Sequence, residues 1–135
     1  MDSIKRGHCP TPSVPLTMKE TTMQIVEKPW GREIWVAVTD QYALKIIEIN
    51  QGCRSSMQYH VQKHEHIYVD RGRLQIERED DAGVMQTHVL GPGEVIENRP
   101  GQKHRSTALE DVRIIEVSTP HLDDVVRTED DYARS

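Results

Sequence analysis

The chain has 135 residues, enough for one domain with a real core and too few for two ordinary catalytic domains, so a two-domain group-transfer enzyme is not expected. Hydrophobic residues make up 36% and aromatics 4%, with no Phe, so the core falls to Val, Ile and Leu, a composition that suits a sheet protein. A formal charge of −5 without any stripe of Lys and Arg argues against nucleic acid as a partner, and no apolar run is long enough for a signal peptide or membrane span. A soluble, cytoplasmic protein is expected, with Cys9 and Cys53 both reduced.

Residues 1–22 carry Pro10, Pro12 and Pro15 and no periodic apolar pattern, and read as a flexible N-terminal arm. His8 and Cys9 adjoin there but lack a second pair of ligands, so no metal site is assigned to them. From Met23 to Ser135 the chain reads as a single domain. Strands are expected at 33–38, 43–49, 56–61, 65–70, 73–78, 84–90, 94–98, 104–108 and 112–118, separated by Gly, Pro, Asp and Asn. These spacings suit an antiparallel sandwich or barrel, and the segment 120–135 is expected to form a short helical turn or to cover one opening of the barrel. Trp30 and Trp35 read as packing anchors, with Trp30 in its Pro-Trp-Gly turn also placed to line a rim, and Glu129, Asp130 and Asp131 read as a solvated face or a helix start.

Period-two alternation sorts side chains by face. Gln58 and His60 share one face of their strand, and Glu65 shares one with Ile67 and Val69. A carboxylate aligned with two branched apolar residues is costly to bury unless a cation accompanies it. Along 43–49, Ala43, Lys45, Ile47 and Ile49 alternate with Leu44, Ile46 and Glu48, so both faces are largely apolar and a partner subunit is expected.

Two spacings concentrate the chemistry. Gly52, Gln58, His60, Glu65 and Gly72 stand in G-x5-Q-x-H-x4-E-x6-G, and Gly93, Gly101 and His104 in G-x7-G-x2-H. Gln58, His60, Glu65 and His104 supply one amide oxygen, two imidazoles and one carboxylate, a donor set for one divalent ion with positions left open. The alternative is a hydrogen-bonded polar cluster without metal. Zinc is the first expectation, and Mn, Co, Ni or Fe accept the same ligands. His64, His66, His88 and His121 read as surface or structural residues.

These paired segments resemble the two motifs of the cupin superfamily, with Gln58 in place of the usual first His. Lys28-Pro29-Trp30-Gly31, Tyr42, Lys45, Arg54, Ser56, Gln58, His60, Glu65-His66, Lys103-His104-Arg105 and the closing VVRTEDDYAR resemble more narrowly the type II mannose-6-phosphate isomerase domain. That domain forms the C-terminal half of bifunctional guanylyltransferase/isomerase enzymes. The resemblance covers about residues 27–134 and implies a jelly-roll barrel, a metal held by Gln58, His60, Glu65 and His104, and a homodimer. Departures fall at Tyr59, Val61 and Gln62, at Asn98-Arg99-Pro100-Gly101, and at Tyr132-Ala133-Arg134. The nucleotidyltransferase half is absent from these 135 residues, so guanylyl transfer is not expected.

The implied activity is a metal-dependent interconversion of mannose 6-phosphate and fructose 6-phosphate, or of a close aldose–ketose pair. A proton must move between C1 and C2 through an enediol while an oxyanion is stabilised and the phosphate held. Lys45, Glu97, His66 and Tyr59 are candidate proton carriers, with Lys45 first because it shares the face of Ile47 and Ile49. Lys45, Glu97 and Arg54 form the expected catalytic set, and Lys103, Arg99, Arg127 and Arg134 the expected substrate and phosphate set. The competing readings are a sugar-binding cupin that holds metal without turnover and a cupin oxygenase. A Gln among the ligands disfavours the last, because a neutral amide is a weak donor.

Overall fold

The computed structural model describes residues 23–134; the expected arm at 1–22, with His8 and Cys9, lies outside the described residues. Eleven strands and no helix form there: β1 (Gln24–Lys28), β2 (Gly31–Val38), β3 (Ala43–Ile49), β4 (Met57–Tyr59), β5 (Glu65–Arg71), β6 (Leu74–Glu79), β7 (Met85–Leu90), β8 (Val95–Asn98), β9 (His104–Ala108), β10 (Val112–Ser118) and β11 (Val126–Glu129). A six-stranded sheet in the order β1-β2-β3-β10-β5-β8 faces a five-stranded sheet in the order β11-β4-β9-β6-β7, with every pairing antiparallel. This is the expected double-sheet jelly-roll barrel.

All nine expected strands are present, with ends moved by a residue or two. Two further strands were not expected. β1 forms a hairpin with β2, and β11 pairs with β4 where a helical turn was one of two expectations for the C-terminal segment. The other expectation, a cover over one opening, matches Leu122, Asp123, Val125, Arg127 and Arg134, which line the barrel cavity. Gly72 makes the β5–β6 turn possible: its φ is +83° and a Cβ there would run into the backbone carbonyl of Asp111.

The inward positions change character along each strand. On β3 they run Ile49, Ile47, Lys45, Ala43; on β10, Val112, Ile114, Glu116, Ser118; on β5, Val69, Ile67, Glu65; on β9, Ala108, Ser106, His104. Register aligns these runs, with Ile114 opposite both Ile47 and Val69, and Glu116 opposite both Lys45 and Ile67. One end of the barrel is therefore filled by a contiguous core of Trp30, Ile47, Ile49, Ile67, Val69, Leu74, Ile76, Leu90, Ile96, Ala108, Val112 and Ile114. The other end presents polar and charged groups to a cavity of about 500 Å³. Trp30 packs in this core as expected, and Cys53 is a free thiol.

The outward face of the six-stranded sheet is apolar as well. Ile34, Ile46, Ile115, Tyr68 and Val95 are successive cross-strand partners in one row over β2, β3, β10, β5 and β8. The next row reads Ala37, Leu44, Val117, His66 and Glu97.

Candidate metal centre

His60 directly follows β4, Glu65 starts β5 and His104 starts β9, and all three are buried. His60 Nε2 lies 3.0 Å and His104 Nε2 3.2 Å from the same oxygen, Glu65 Oε1. Gln58 is the cross-strand partner of His104, lines the same cavity, and accepts a 2.7 Å hydrogen bond at Oε1 from Ser56 Oγ.

The far nitrogens determine what these rings can do. His60 Nδ1 is 2.6 Å from the carbonyl oxygen of Asp124, and His104 Nδ1 is 2.9 Å from that of Gln102. A carbonyl only accepts, so both Nδ1 atoms carry hydrogen and a neutral ring keeps its lone pair at Nε2. Two such lone pairs would then point at a carboxylate oxygen, an arrangement that requires positive charge among the three atoms. Protonated imidazoles supply it in part: burial works against the charge on His104, but the Glu65 carboxylate raises its pKa. A divalent ion supplies it without extra protons, and the donor set of two imidazoles, a carboxylate and a nearby amide oxygen fits one.

The surroundings of Glu65 favour its charged form. Burial disfavours its charge, but Lys63 and the two histidines hold its pKa well below the carboxylate range. Lys63 Nζ sits 3.8 Å from Glu65 Oε2 and 2.9 Å from Glu116 Oε1, and it is the cation that the placement of Glu65 demanded. Glu116 behaves oppositely: burial and the neighbouring Glu65 charge push it up to about 8, against the pull of Lys63. Asp124 braces the site from the other sheet's flank, its carboxylate accepting from the backbone N–H groups of Val61, Gln62 and Lys63 at 2.9, 2.6 and 2.9 Å. The Asn98 side chain, fully buried on the strand partner of Glu65, makes no hydrogen bond.

Lys45 projects into the same cavity, 3.1 Å from Glu33 Oε1 and 4.8 Å from the centre of the Trp35 ring. Glu33 is held below its ordinary pKa because Lys45 and the Trp35 indole N–H outweigh its burial. Trp35 thus borders the cavity rather than serving only as a packing anchor. Of the expected phosphate groups, Arg127 and Arg134 line the cavity, and Arg134 forms a two-pronged pair with Asp130 at 2.9 and 3.1 Å. The pair holds Asp130 down to about 2.

Four expected site residues lie elsewhere. Glu97 points outward from β8, because alternation turns Ile96 and Asn98 inward on either side of it. Arg54 is exposed and paired with Asp131 at 2.7 and 2.8 Å. Arg99 reaches Glu97 and Asp81 on the surface, and Lys103 is exposed beside Glu79 and outside the cavity lining. Conversely, Lys63, Glu116 and Glu33 were missed although alternation could have found all three. Lys63 is two residues before Glu65, Glu116 lies between Ile114 and Ser118, and Glu33 is two residues before Trp35. Asp124 carries no such local sign.

The mannose-6-phosphate isomerase C-terminal family model matches residues 17–130. No curated protein sequence matches the chain. Among solved structures, KdgF from Halomonas sp. is similar at 22% identity and TM-score 0.66, over 74% of this chain and 90% of that one. Oxalate decarboxylase from Bacillus subtilis is similar at 16% identity and TM-score 0.69, over 79% of this chain, which spans only 30% of that one. An RmlC-like cupin from Shewanella frigidimarina is similar at 17% identity and TM-score 0.63, over 73% and 85% of the two chains. At these identities the structures establish the shared cupin fold. The decarboxylase has Mn(II) centres.

Proposed function

The chain belongs to the mannose-6-phosphate isomerase C-terminal family, and from that premise we propose that it is a metal-dependent sugar-phosphate isomerase. Its substrates in this reading are mannose 6-phosphate and fructose 6-phosphate, or a closely related aldose–ketose pair. The observation that carries the reading is the convergence of two Nδ1-anchored imidazoles on one buried carboxylate oxygen, in a cavity that also holds a buried lysine.

Gln58, His60, Glu65 and His104 would hold the ion. When bound, it supplies positive charge against the oxyanion that develops during enolisation. Lys45 is the proton carrier, its amine taking a proton from C2 or C1 and returning it at the other carbon, with Glu33 at 3.1 Å positioning its Nζ. Arg127 and Arg134 receive the phosphate, and Asp130 pre-orients Arg134. Leu122 and Val125 limit water at the cavity wall. A homodimer through the outward apolar residues of β3, Leu44 and Ile46, belongs to the same proposal, and a monomer mass at micromolar concentration would contradict it.

The test is proton NMR of the metal-reconstituted protein with fructose 6-phosphate in deuterated water, beside a chelated control. Metal-dependent appearance of mannose 6-phosphate is expected. No conversion with metal verifiably bound would replace this reading with a metal-holding, non-catalytic cupin.

A further inference from the structure

A second group of two histidines and one glutamate lies on the opposite side of β5 from the cavity. His64, His66 and Glu97 bring one ligand atom each to within 4.8 Å of one another. His64 Nε2 is 2.7 Å and His66 Nε2 3.7 Å from the same oxygen, Glu97 Oε2, and the two rings stack at 5.6 Å between centroids with 29° between planes. A tetrahedral ion with bonds of about 2.0–2.1 Å needs its ligand atoms about 3.4 Å apart, a spacing that these two contacts bracket.

The backbone beneath the group is held on every side. His66 and Glu97 are direct cross-strand partners on β5 and β8. The N–H of His64 donates to Thr119 Oγ1 at 3.1 Å, and its carbonyl accepts from the Thr119 N–H at 3.0 Å. The second Glu97 oxygen is engaged by Arg99 Nε at 3.3 Å, which leaves Oε2 facing the histidines. The three side chains remain 41%, 48% and 34% exposed, so an ion can reach them from solvent without opening the barrel.

We propose that His64, His66 and Glu97 form a surface site for one first-row divalent transition ion, distinct from the cavity site. Two imidazoles and a carboxylate favour zinc or its neighbours over magnesium or calcium, which prefer all-oxygen shells. Three protein ligands leave a coordination position open toward solvent, beside Val117, the partner of His66 on β10. The site does not depend on the isomerase reading.

The test is the zinc content of the full chain after loading with excess ion and desalting, compared between wild type and the double variant His64→Ala/His66→Ala. The difference cancels every ion bound elsewhere, including any at the cavity or in residues 1–22. The variant is expected to hold one equivalent per chain fewer, with an unchanged thermal transition in the metal-free state. Glu97→Gln, which removes the anionic ligand and keeps both rings, is expected to lose the same equivalent. Magnesium offered instead of zinc is expected to show no difference between variant and wild type. Equal zinc content in wild type and the double variant would overturn the proposal and leave the group as a surface ion-pair cluster.

Discussion

The two sides of β5 carry nearly the same side chains put to different use. On the inner side, His60 and His104 converge on one oxygen of Glu65 while Lys63 faces the other; on the outer side, His64 and His66 converge on one oxygen of Glu97 while Arg99 faces the other. The inner rings are anchored through Nδ1 to backbone carbonyls and are about 3% and 5% exposed in their side chains. The outer rings have neither anchor nor burial. Donor type is therefore the same on both sides, and what separates them is burial and second-layer hydrogen bonding, which fix ring orientation and strengthen every charge interaction inside.

The sharpest way to break this comparison is to remove an inner ligand. Glu65→Ala and His104→Ala are each expected to abolish cavity metal and reduce isomerase activity to background, read by metal analysis and by the NMR assay. Full occupancy in either variant would show that the inner group is a polar cluster after all. Next in size, Lys45→Met is expected to retain the cavity ion while lowering turnover about 10²–10⁴-fold. An unchanged rate would remove Lys45 from the reaction.

Charge burial gives a stability contrast. Lys63→Met leaves Glu65 and Glu116 buried without their cation, and a loss of roughly 3–5 kcal/mol is expected in denaturant unfolding. Glu116 supplies a pH signature in the metal-free protein. Its folded pKa of about 8 exceeds its ordinary 4.5, so between these values the folded state binds more protons than the unfolded state and stability falls as pH rises. Glu116→Gln is expected to flatten that decline when melting is followed from pH 4.5 to 8. A parallel decline in both proteins would assign the pH dependence to another group. The smallest effect belongs to the outer side, where His66→Ala is expected to change stability by no more than about 0.5 kcal/mol. A larger loss there would mean that the outer group supports the fold.

Much of this was readable because sheet alternation is local. Glu65 beside Ile67 and Val69, Gln58 beside His60, and Lys45 beside Ile47 each announced an inward polar group at the end of an apolar row. The same rule would have turned Glu97 outward, had it been applied to Ile96 and Asn98. The expected phosphate groups divided two and two for a different reason. Arg127 and Arg134 ride on the C-terminal segment that crosses the barrel mouth, whereas Arg99 and Lys103 flank a turn on the outer surface.

The sequence by itself determined an antiparallel sandwich or barrel, most of its strands, and the four residues gathered at its polar end, because a period of two in apolar residues and a few spaced glycines act within each strand; the choice of barrel rested on the resemblance to the cupin motifs. Tertiary structure decided which distant groups complete the site. Lys63 meets Glu116 across 53 positions and His60 meets Asp124 across 64, contacts set by register and barrel closure and by nothing in the neighbouring residues. It also decided β1 and β11, whose short runs become strands only because β2 and β4 offer open edges to pair with.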